Sequence, residues 1–395
     1  MPSPDQRPSP SHPPFPELLL RPDRSPIPVL SDGLLDLPWE SPPKSDEFIR
    51  EAMAWHFSPE TGSPFWLERA RALDFDPVVD VRTMADLAMF DNVVDDLRAV
   101  PLESLVPLGY SASGTSGVRP EVGESGGTTG EPKRVFTFPD VKKQSWTWYW
   151  SRLAEHGVGV DRNWLGVVPA GPHMVGILAR DTAAHFGAIY FTVDLDPRWA
   201  KRCAARGAVD ELRSYVEHLV DQIEWILRSQ DIGLIAITPP LLEAVCQRDH
   251  LVDLINEKVS TITWSGASMD HDTREMLRTD VFPGVDLIGI FGSAMIFCGI
   301  PERPGGRSDE PAVFDPPSPF SSFSVVDPET RQPVPYGERG QLLTHHITRN
   351  LFLPNNLERD TAVRHPHGLG HSGDSISEVA PVQEFGDVRV IEGVY

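Results

Sequence analysis

Cysteine and basic residues are scarce in this chain. Its 395 residues include three cysteines, Cys203, Cys246 and Cys298, which lie far apart and form no Cys-x-x-Cys pair. This odd number of isolated cysteines predicts reduced thiols in a cytoplasmic protein. Lysine and arginine total 35 against 57 acidic residues, a formal net charge of -22. That balance argues against a nucleic-acid or anionic-membrane partner, so an anion-binding site must gather its positive charge locally.

A long apolar run and a secretory leader pattern are also missing. The longest apolar stretch, around 287–300, is too short to span a bilayer and contains glycine and serine. The N-terminus is proline-rich instead of basic and then apolar, so we expect no signal peptide and a soluble protein. Thirteen of the 39 prolines precede Lys44, which predicts a partly disordered arm over 1–43, from which Leu34-Leu35 could still dock.

From residue 44 onward the pattern is that of an α/β protein. We expect Ser45 to cap a first helix and Ser63-Pro64 to open a second. Strand-like runs then alternate with helical ones; the strands are predicted at 164–168, 188–193, 233–238, 261–264 and 286–291, and the helices at 141–155, 198–229 and 239–257. This alternation predicts a largely parallel sheet flanked by helices, as an α/β core over 44–310. Short strands and turns predict a small β subdomain over 311–395.

The clearest chemical signal begins at Ser125. Hydroxyl residues alternate with glycines there, and a Pro-Lys pair ends the segment Ser125-Gly126-Gly127-Thr128-Thr129-Gly130-Glu131-Pro132-Lys133. Glycines let backbone N–H groups approach anionic oxygens, hydroxyls donate further hydrogen bonds, and the lysine adds positive charge. The spacing is not that of a Walker loop. We interpret the segment as a polyphosphate loop and not as a flexible linker, because an apolar strand-like run follows it.

This loop resembles the phosphate loop of adenylate-forming enzymes, which include acyl-CoA and aryl-CoA ligases, luciferases and the adenylation domains of peptide synthetases. Four later elements follow in the family's order: Ser265-Gly266-Ala267 after a strand, Phe291-Gly292, the turn Gly337-Glu338-Arg339-Gly340-Gln341, and Ser372-Gly373-Asp374. The resemblance therefore implies the fold of the family's N-terminal domain, an α/β architecture with a small β subdomain that completes the nucleotide site.

The resemblance also implies a role for each element. Lys133 and the loop N–H groups would hold the leaving pyrophosphate of ATP, and residues 265–267 would line the adenine pocket. Phe291 would stack on adenine, with Gly292 beside it, and Asp374 would bind both ribose hydroxyls. Arg389 lies 15 residues after Asp374, where the family often places a ribose-contacting arginine, although its neighbours look strand-like. ATP and Mg²⁺ are the implied cofactors.

Two departures from the family pattern affect the predicted chemistry. Ala294 and Met295 stand where the family has threonine and a magnesium-binding glutamate, so another acid must supply the carboxylate, with Glu302 and Glu338 as candidates, or adenylation is slow or lost. The chain also ends about 20 residues after Asp374, so the expectation from sequence is that the family's C-terminal lid domain is absent.

The acid-binding pocket is predicted around His173, which follows a strand where relatives place a histidine or an aromatic residue beside the acyl group. His173 is thus a candidate catalytic residue together with Lys133, and Met174, Trp148 and Met295 are the other predicted pocket residues. A loop histidine satisfied by the backbone is an equally good interpretation of His173. The neighbours of Trp148 on the same predicted helix, Trp146 and Trp150, are expected in the core.

Two further clusters of polar residues, one of histidines and one of aspartates, do not require a functional role. His365, His367 and His371 lie close enough in sequence to bind zinc, but no cysteine or carboxylate stands nearby at metal-ligand spacing. We therefore predict no protein-held metal beyond the magnesium that accompanies ATP. The acidic pair Asp95-Asp96 is most simply a solvated helix face.

A closer resemblance covers residues 60–395 and is to the griseoluteic-acid-activating type of phenazine antibiotic biosynthesis. Phenylacetate-CoA ligases and the acyl-protein synthetase of bacterial luminescence are more distant. It implies that an aryl or other small carboxylic acid is activated as acyl-AMP in secondary metabolism and handed to a carrier protein, reductase or acyltransferase, with a homodimer possible. Two alternatives remain open: a non-catalytic nucleotide-binding scaffold, and an acyl transferase that uses a preformed activated acyl group.

Overall fold

The computed structural model describes residues 33–112, 120–125, 131–159, 162–306 and 310–381, together with the backbone of two short strands at 384–385 and 388–389. This part of the chain contains twelve α-helices: α1 (Ser45–Phe57), α2 (Pro64–Ala70), α3 (Pro77–Asp80), α4 (Leu102–Leu105), α5 (Leu108–Ala112), α6 (Pro139–Glu155), α7 (Met174–His185), α8 (Pro197–Ala205), α9 (Val209–Ser229), α10 (Pro239–Cys246), α11 (Asp249–Lys258) and α12 (His271–Met276). None of them is both long and apolar enough to cross a bilayer.

The strands form two principal sheets and two hairpins. They are β1 (Glu121–Glu124), β2 (Arg134–Thr137), β3 (Asn163–Val167), β4 (Tyr190–Thr192), β5 (Ile232–Ile237), β6 (Thr261–Trp264), β7 (Asp286–Ser293), β8 (Cys298–Pro301), β9 (Val313–Phe314), β10 (Ser321–Val326), β11 (Arg339–Ile347), β12 (Phe352–Pro366), β13 (Asp374–Pro381), β14 (Glu384–Phe385) and β15 (Val388–Arg389). β1 pairs with β2 and β14 with β15.

The larger sheet has six strands in the order β4-β3-β5-β6-β7-β8. The first five strands in this order run parallel, and β8 pairs antiparallel with β7. β6 is buried along its whole length, as expected for a parallel strand covered by helices on both faces. The prediction of an α/β fold with a largely parallel sheet is confirmed.

The smaller sheet has five antiparallel strands in the order β10-β11-β12-β13-β9. The predicted turn over 337–341 leads into β11, and Gly337 adopts φ +85°, a conformation that glycine tolerates best. This sheet is the small β unit that the sequence predicts after residue 310.

Two long predicted helices are each broken in two. The helix predicted over 198–229 is divided at Gly207, which adopts φ +67° and ends α8 before α9 begins. The helix predicted over 239–257 is divided between α10 and α11. Ser63 does cap α2, since its hydroxyl accepts a hydrogen bond from the Trp66 N–H. Ser45, in contrast, is the first residue of α1 and does not cap it.

The described end of the proline-rich segment packs against the protein. Leu35 is 4% exposed and Trp39 2%, and the Trp39 ring stacks on Phe320 with 5.2 Å between ring centroids. The docking predicted for Leu34-Leu35 is therefore confirmed at Leu35. Residues 1–32 of the predicted arm lie outside the described part of the chain.

Candidate functional site

The predicted adenine-site elements lie at the ends of neighbouring parallel strands: Ser265 to Ala267 come after β6, and Phe291-Gly292 are among the last residues of β7. Ser265 comes directly after β6, and its N–H donates to the carbonyl of Ile237 at the end of β5 (3.2 Å). Gly266 adopts φ +84°, and a Cβ there would lie 3.5 Å from Thr238 Cγ2. The carboxyl ends of parallel strands share one edge of the sheet, and Ser265 and Gly266 lie at that edge, which is the edge where open α/β sheets generally bind ligands.

The β1–β2 hairpin brings the two described ends of the predicted phosphate loop, Ser125 and Lys133, to the carboxyl end of β3. The N–H of Glu124, the last residue of β1, donates to the carbonyl of Pro172 (2.7 Å), and Glu124 forms a parallel bridge with His173. His173 itself lies between the end of β3 and the start of α7. The base of the loop therefore lies beside the predicted acid-pocket histidine.

Ser125 and Lys133 close the loop at its base. The Ser125 N–H donates to the Lys133 carbonyl (3.0 Å), and the Lys133 N–H donates to Ser125 Oγ (2.9 Å). The hydroxyl of Ser125 thus accepts a bond from the loop's own backbone. Gly126, Gly127, Thr128, Thr129 and Gly130 lie outside the described residues, so their phosphate contacts stay predictions.

The ammonium group of Lys133 lies 3.4 Å from Asp95 Oδ1. The lysine side chain is 20% exposed and the aspartate side chain 79% exposed. Asp96 forms its own ion pair with Arg69, at 2.8 Å. The acidic pair is therefore more than a solvated face. Asp95 contacts Lys133, the predicted phosphate lysine, and Asp96 forms an ion pair with Arg69 of α2.

Charged side chains of both signs lie around His173: Arg198 and Lys201 are basic, and Glu124 and Asp196 are acidic. Arg198, in the first turn of α8, contacts Glu124, and Lys201 follows three residues later on the same helix. Burial, followed by the charges of Arg359 and Arg198, lowers the pKa of Lys201 to about 8. Burial, followed by Arg198 and Lys201, likewise lowers the pKa of His173. The lowered pKa favours the neutral form of the imidazole.

The aromatic residue predicted to stack on adenine belongs to a small aromatic group. The ring of Phe291, near the end of β7, meets Phe323 edge-on at 5.5 Å between centroids and Phe314 at 5.9 Å. Phe291 is only partly buried, whereas Phe323 is completely buried. A Cβ on Gly373 would lie 2.9 Å from the Phe323 carbonyl oxygen. Phe323 thus lies between Phe291 of the predicted adenine element and Gly373 of the predicted ribose element. Gly292 follows Phe291 in β7.

Asp374 is bonded inside the small sheet. Its two carboxylate oxygens accept hydrogen bonds from Arg364 Nε (2.8 Å) and the Val325 N–H (3.0 Å). Its side chain is 3% exposed, and burial raises its pKa. These contacts give Asp374 a structural role, and a ribose contact would have to compete with them. Arg389 lies in β15, and its side chain is outside the description.

The predicted acid-pocket residues are not all brought together. His173 and Met174 lie beside the β1–β2 hairpin, where a Cβ on Gly123 would come within 2.3 Å of Met174 Sδ. Trp148 instead lines a separate cavity of about 60 Å³. That cavity contains none of the predicted nucleotide residues; its other lining residues are Trp39, Glu40, Ser151, Arg152, Pro316, Pro317, Ser318, Leu369 and His371. Met295 is 3% exposed and packs in the hydrophobic core.

Neither acid suggested as a replacement for the magnesium-binding glutamate is suitably placed. Glu302 is 4% exposed, and its carboxylate accepts from Arg274 (2.6 Å) and Arg278 (2.7 Å). Glu338 is exposed in the turn before β11. The acid at the end of β7 is Glu358, whose Oε1 lies 3.2 Å from Ser293 Oγ. Sequence reasoning missed it because it stands in the middle of a long strand with no motif around it.

The clustered histidines bond within the protein. His365 Nε2 lies 2.8 Å from Ser377 Oγ, and His367 Nε2 lies 2.9 Å from the Pro316 carbonyl oxygen. Over the residues that the structure describes, no three His, Cys, Asp or Glu side chains come together as a metal site.

Comparison with known proteins identifies the fold. No family model matches the chain, and no curated protein sequence does. Among solved structures, 2-hydroxyisobutyryl-CoA ligase with 2-HIB-AMP and CoA in its thioesterification state gives a TM-score of 0.60 at 15% identity, over 88% of this chain and 69% of that one. The same ligase in the post-adenylation state with 2-HIB-AMP gives a TM-score of 0.57 at 14% identity, over 85% of this chain and 67% of that one. The chain therefore has the fold of an adenylate-forming ligase domain.

Proposed function

We propose that this protein binds ATP and activates a small or aryl carboxylic acid as its acyl-adenylate. The observation that supports the proposal is the position of Ser125 and Lys133, the two ends of the predicted phosphate loop, next to the Glu124–Pro172 hydrogen bond at the carboxyl end of β3. A fold shared with acyl-CoA ligases supports the same conclusion. The nucleotide, magnesium and the acid are inferred from sequence resemblance together with this placement.

The proposed reaction is an in-line displacement at phosphorus. A carboxylate oxygen of the substrate attacks the α-phosphorus of ATP, the bond between that phosphorus and the bridging oxygen breaks, and pyrophosphate leaves with the electron pair. Little covalent chemistry is required of the protein, so its contribution is positioning and neutralisation of phosphate charge. A divalent cation bound with the nucleotide adds charge neutralisation at the phosphates.

The basic residues divide between the two ends of the proposed reaction. Lys133, at the base of the loop, would neutralise the departing pyrophosphate. Arg198 and Lys201, beside His173, would attract the anionic substrates to the other side of the loop base. The lowered pKa of His173 favours the neutral imidazole, which would donate a hydrogen bond to the carboxylate of the acid without forming an ion pair with it.

The finer parts of the proposal come from the resemblance alone. They are an acid of the aryl class, transfer of the acyl group to a separate carrier protein, reductase or acyltransferase, and a role in antibiotic or other secondary metabolism. Of the residues predicted for the acid pocket, we keep His173 and Met174, because Met295 is in the core and Trp148 lines the cavity of about 60 Å³ that contains neither of them.

Acid-dependent exchange of labelled pyrophosphate into ATP tests the proposal. A panel of aryl and aliphatic acids should include at least one that gives exchange with the unmodified protein. Lys133→Ala should lower that exchange by two or more orders of magnitude, whereas Lys143→Ala, at an exposed position of α6, should leave it unchanged. Equal exchange in the two variants, or none with any acid, would contradict the proposal.

A nucleotide-binding scaffold without catalysis is the second candidate. The burial of Met295 at the position of the family's acid favours it. Calorimetry separates the two candidates: ATP binding that Lys133→Ala weakens, with no exchange for any acid, would establish the scaffold.

A further inference from the structure

The loop after β7 cannot supply a carboxylate to a cation. Met295 is 3% exposed in the hydrophobic core, and its N–H donates to Ser293 Oγ (3.2 Å). This arrangement directs the backbone of the turn toward the serine hydroxyl and leaves position 295 apolar. An acid for this part of the site must therefore come from another element.

Glu358 reaches the same turn from β12. Its Oε1 lies 3.2 Å from Ser293 Oγ and accepts from Asn356 Nδ2 at 2.8 Å. Its backbone carbonyl accepts from Gln341 Nε2, also at 2.8 Å. A strand of the small sheet thus places a half-buried carboxylate at the carboxyl end of β7, and two side chains fix its position.

The second carboxylate oxygen of Glu358 has no hydrogen-bond partner among the residues that the structure describes. Within the described residues, Glu358 has no ion pair, and its hydrogen bonds are made by Oε1 and the backbone carbonyl. Two other acids of the protein differ in this respect: Glu302 is ion-paired with two arginines, and Glu124 contacts Arg134 and Arg198.

We propose that Glu358 is the carboxylate that holds the divalent cation of the bound nucleotide, in place of the residue at position 295. This inference rests on the proposed function. The donors at the site, a carboxylate oxygen and the Ser293 hydroxyl, are hard oxygen ligands of the kind that Mg²⁺ prefers, and Mg²⁺ is commonly bound by one or two carboxylates together with substrate phosphates. The residues present therefore fit a nucleotide-bound cation better than a site made by protein alone.

Titration calorimetry of ATP with and without Mg²⁺ tests the inference without requiring turnover. The unmodified protein should bind ATP at least about ten-fold more tightly with Mg²⁺, and Glu358→Gln should lose that gain while it retains the affinity measured without Mg²⁺. The glutamine keeps an oxygen for Ser293 and Asn356, so the fold should be preserved. Glu338→Gln, at an exposed acid in the turn before β11, is the matched control and should behave as the unmodified protein.

A second readout follows the cation directly. Mn²⁺ bound in the presence of ATP should show its paramagnetic signature with the unmodified protein and with Glu338→Gln, and a weakened one with Glu358→Gln. If Glu358→Gln does not fold, Glu358→Asp replaces it, with a retracted carboxylate that should lower the Mg²⁺ gain several-fold and leave the Mg²⁺-free affinity unchanged.

The outcomes separate this inference from the proposed function. ATP binding whose Mg²⁺ dependence is absent, or is the same in the Glu358 variant, overturns the role of Glu358 and leaves nucleotide binding standing. Failure of the unmodified protein to bind ATP under either condition overturns both.

Discussion

Ser125 and Lys133 are joined by two hydrogen bonds, one between their backbones and one from the Lys133 N–H to the serine hydroxyl. The second bond uses the side chain that the sequence assigns to phosphate binding. Ser125 therefore has a structural role: it links the first residue of the predicted loop to the lysine that ends it.

Ser125→Ala should weaken ATP binding by about five-fold, since one net hydrogen bond contributes about 1 kcal/mol. The loss arises because the bound loop must be ordered without its side-chain anchor. Calorimetry with ATP measures it, with Ser104→Ala as the control for a hydroxyl bonded elsewhere, to the Pro101 carbonyl. An affinity unchanged in Ser125→Ala would show that the backbone bond alone sets the loop.

Asp95→Asn should tighten ATP binding, because the aspartate lies 3.4 Å from the Lys133 ammonium and competes with phosphate for it. The gain should be no more than about five-fold, since exposed ion pairs contribute up to about 1 kcal/mol. The effect should vanish when Lys133 is also alanine, and Asp91→Asn, an exposed neighbour, should show none. Weaker binding in Asp95→Asn would mean that the pair positions the lysine for its ligand.

Lys201→Met should stabilise the protein at pH 7 and lose that advantage as the pH rises. The folded-state pKa is lowered to about 8 from an ordinary value of 10.5, mainly by burial. Between pH 8 and pH 10.5 the unfolded chain binds the proton of Lys201 and the folded chain does not, so the destabilisation caused by burying the ammonium decreases as the pH rises. Below pH 8 both states bind the proton, and the full destabilisation is present.

Urea unfolding at pH 7 and pH 9.5 measures this difference for Lys201→Met. The control is Lys44→Met, at a lysine whose side chain is 84% exposed, and it should show no such pH dependence. A Lys201→Met protein that is less stable than the unmodified one at pH 7 would show that the buried ammonium is stabilised by its partners.

Glu302→Ala should destabilise the fold by about 3–5 kcal/mol, because it leaves the arginines at 274 and 278 without the carboxylate between them, and the first is 5% exposed. Urea midpoints measure the loss, and Glu338→Ala should stay within about 0.5 kcal/mol of the unmodified protein. A folded Glu302→Ala protein with near-normal stability would mean that the arginines find other partners.

Local sequence pattern predicted the parallel sheet well. The strand Thr261–Trp264 has the predicted bounds, because a short apolar run between two turn signals leaves little alternative for a buried parallel strand. The broken helices were missed, since Gly207 within a helical pattern is tolerated in some helices and ends others.

Side-chain partners far apart in sequence could not be predicted. Glu358 and Ser293 are 65 residues apart in the sequence. Glu358 stands on β12, a strand whose polar composition is typical of a surface. Nothing local shows that Met295 turns into the core, or that Asp374 is taken up by the sheet that contains it. These outcomes depend on how the small sheet packs on the large one, which a single sequence pattern does not specify.

The ring of Phe352, at the start of β12, lies among residues from the N-terminal helices, with centroids 5.0 Å from Trp66, 5.1 Å from His56 and 5.2 Å from Phe90. The first residues of β12 are therefore anchored by a segment that the nucleotide motifs do not include. A shortened protein that begins at the first recognisable motif would expose this aromatic nest to water and free one end of the strand. The N-terminal helices thus help to hold β12, the strand that carries Glu358, in position.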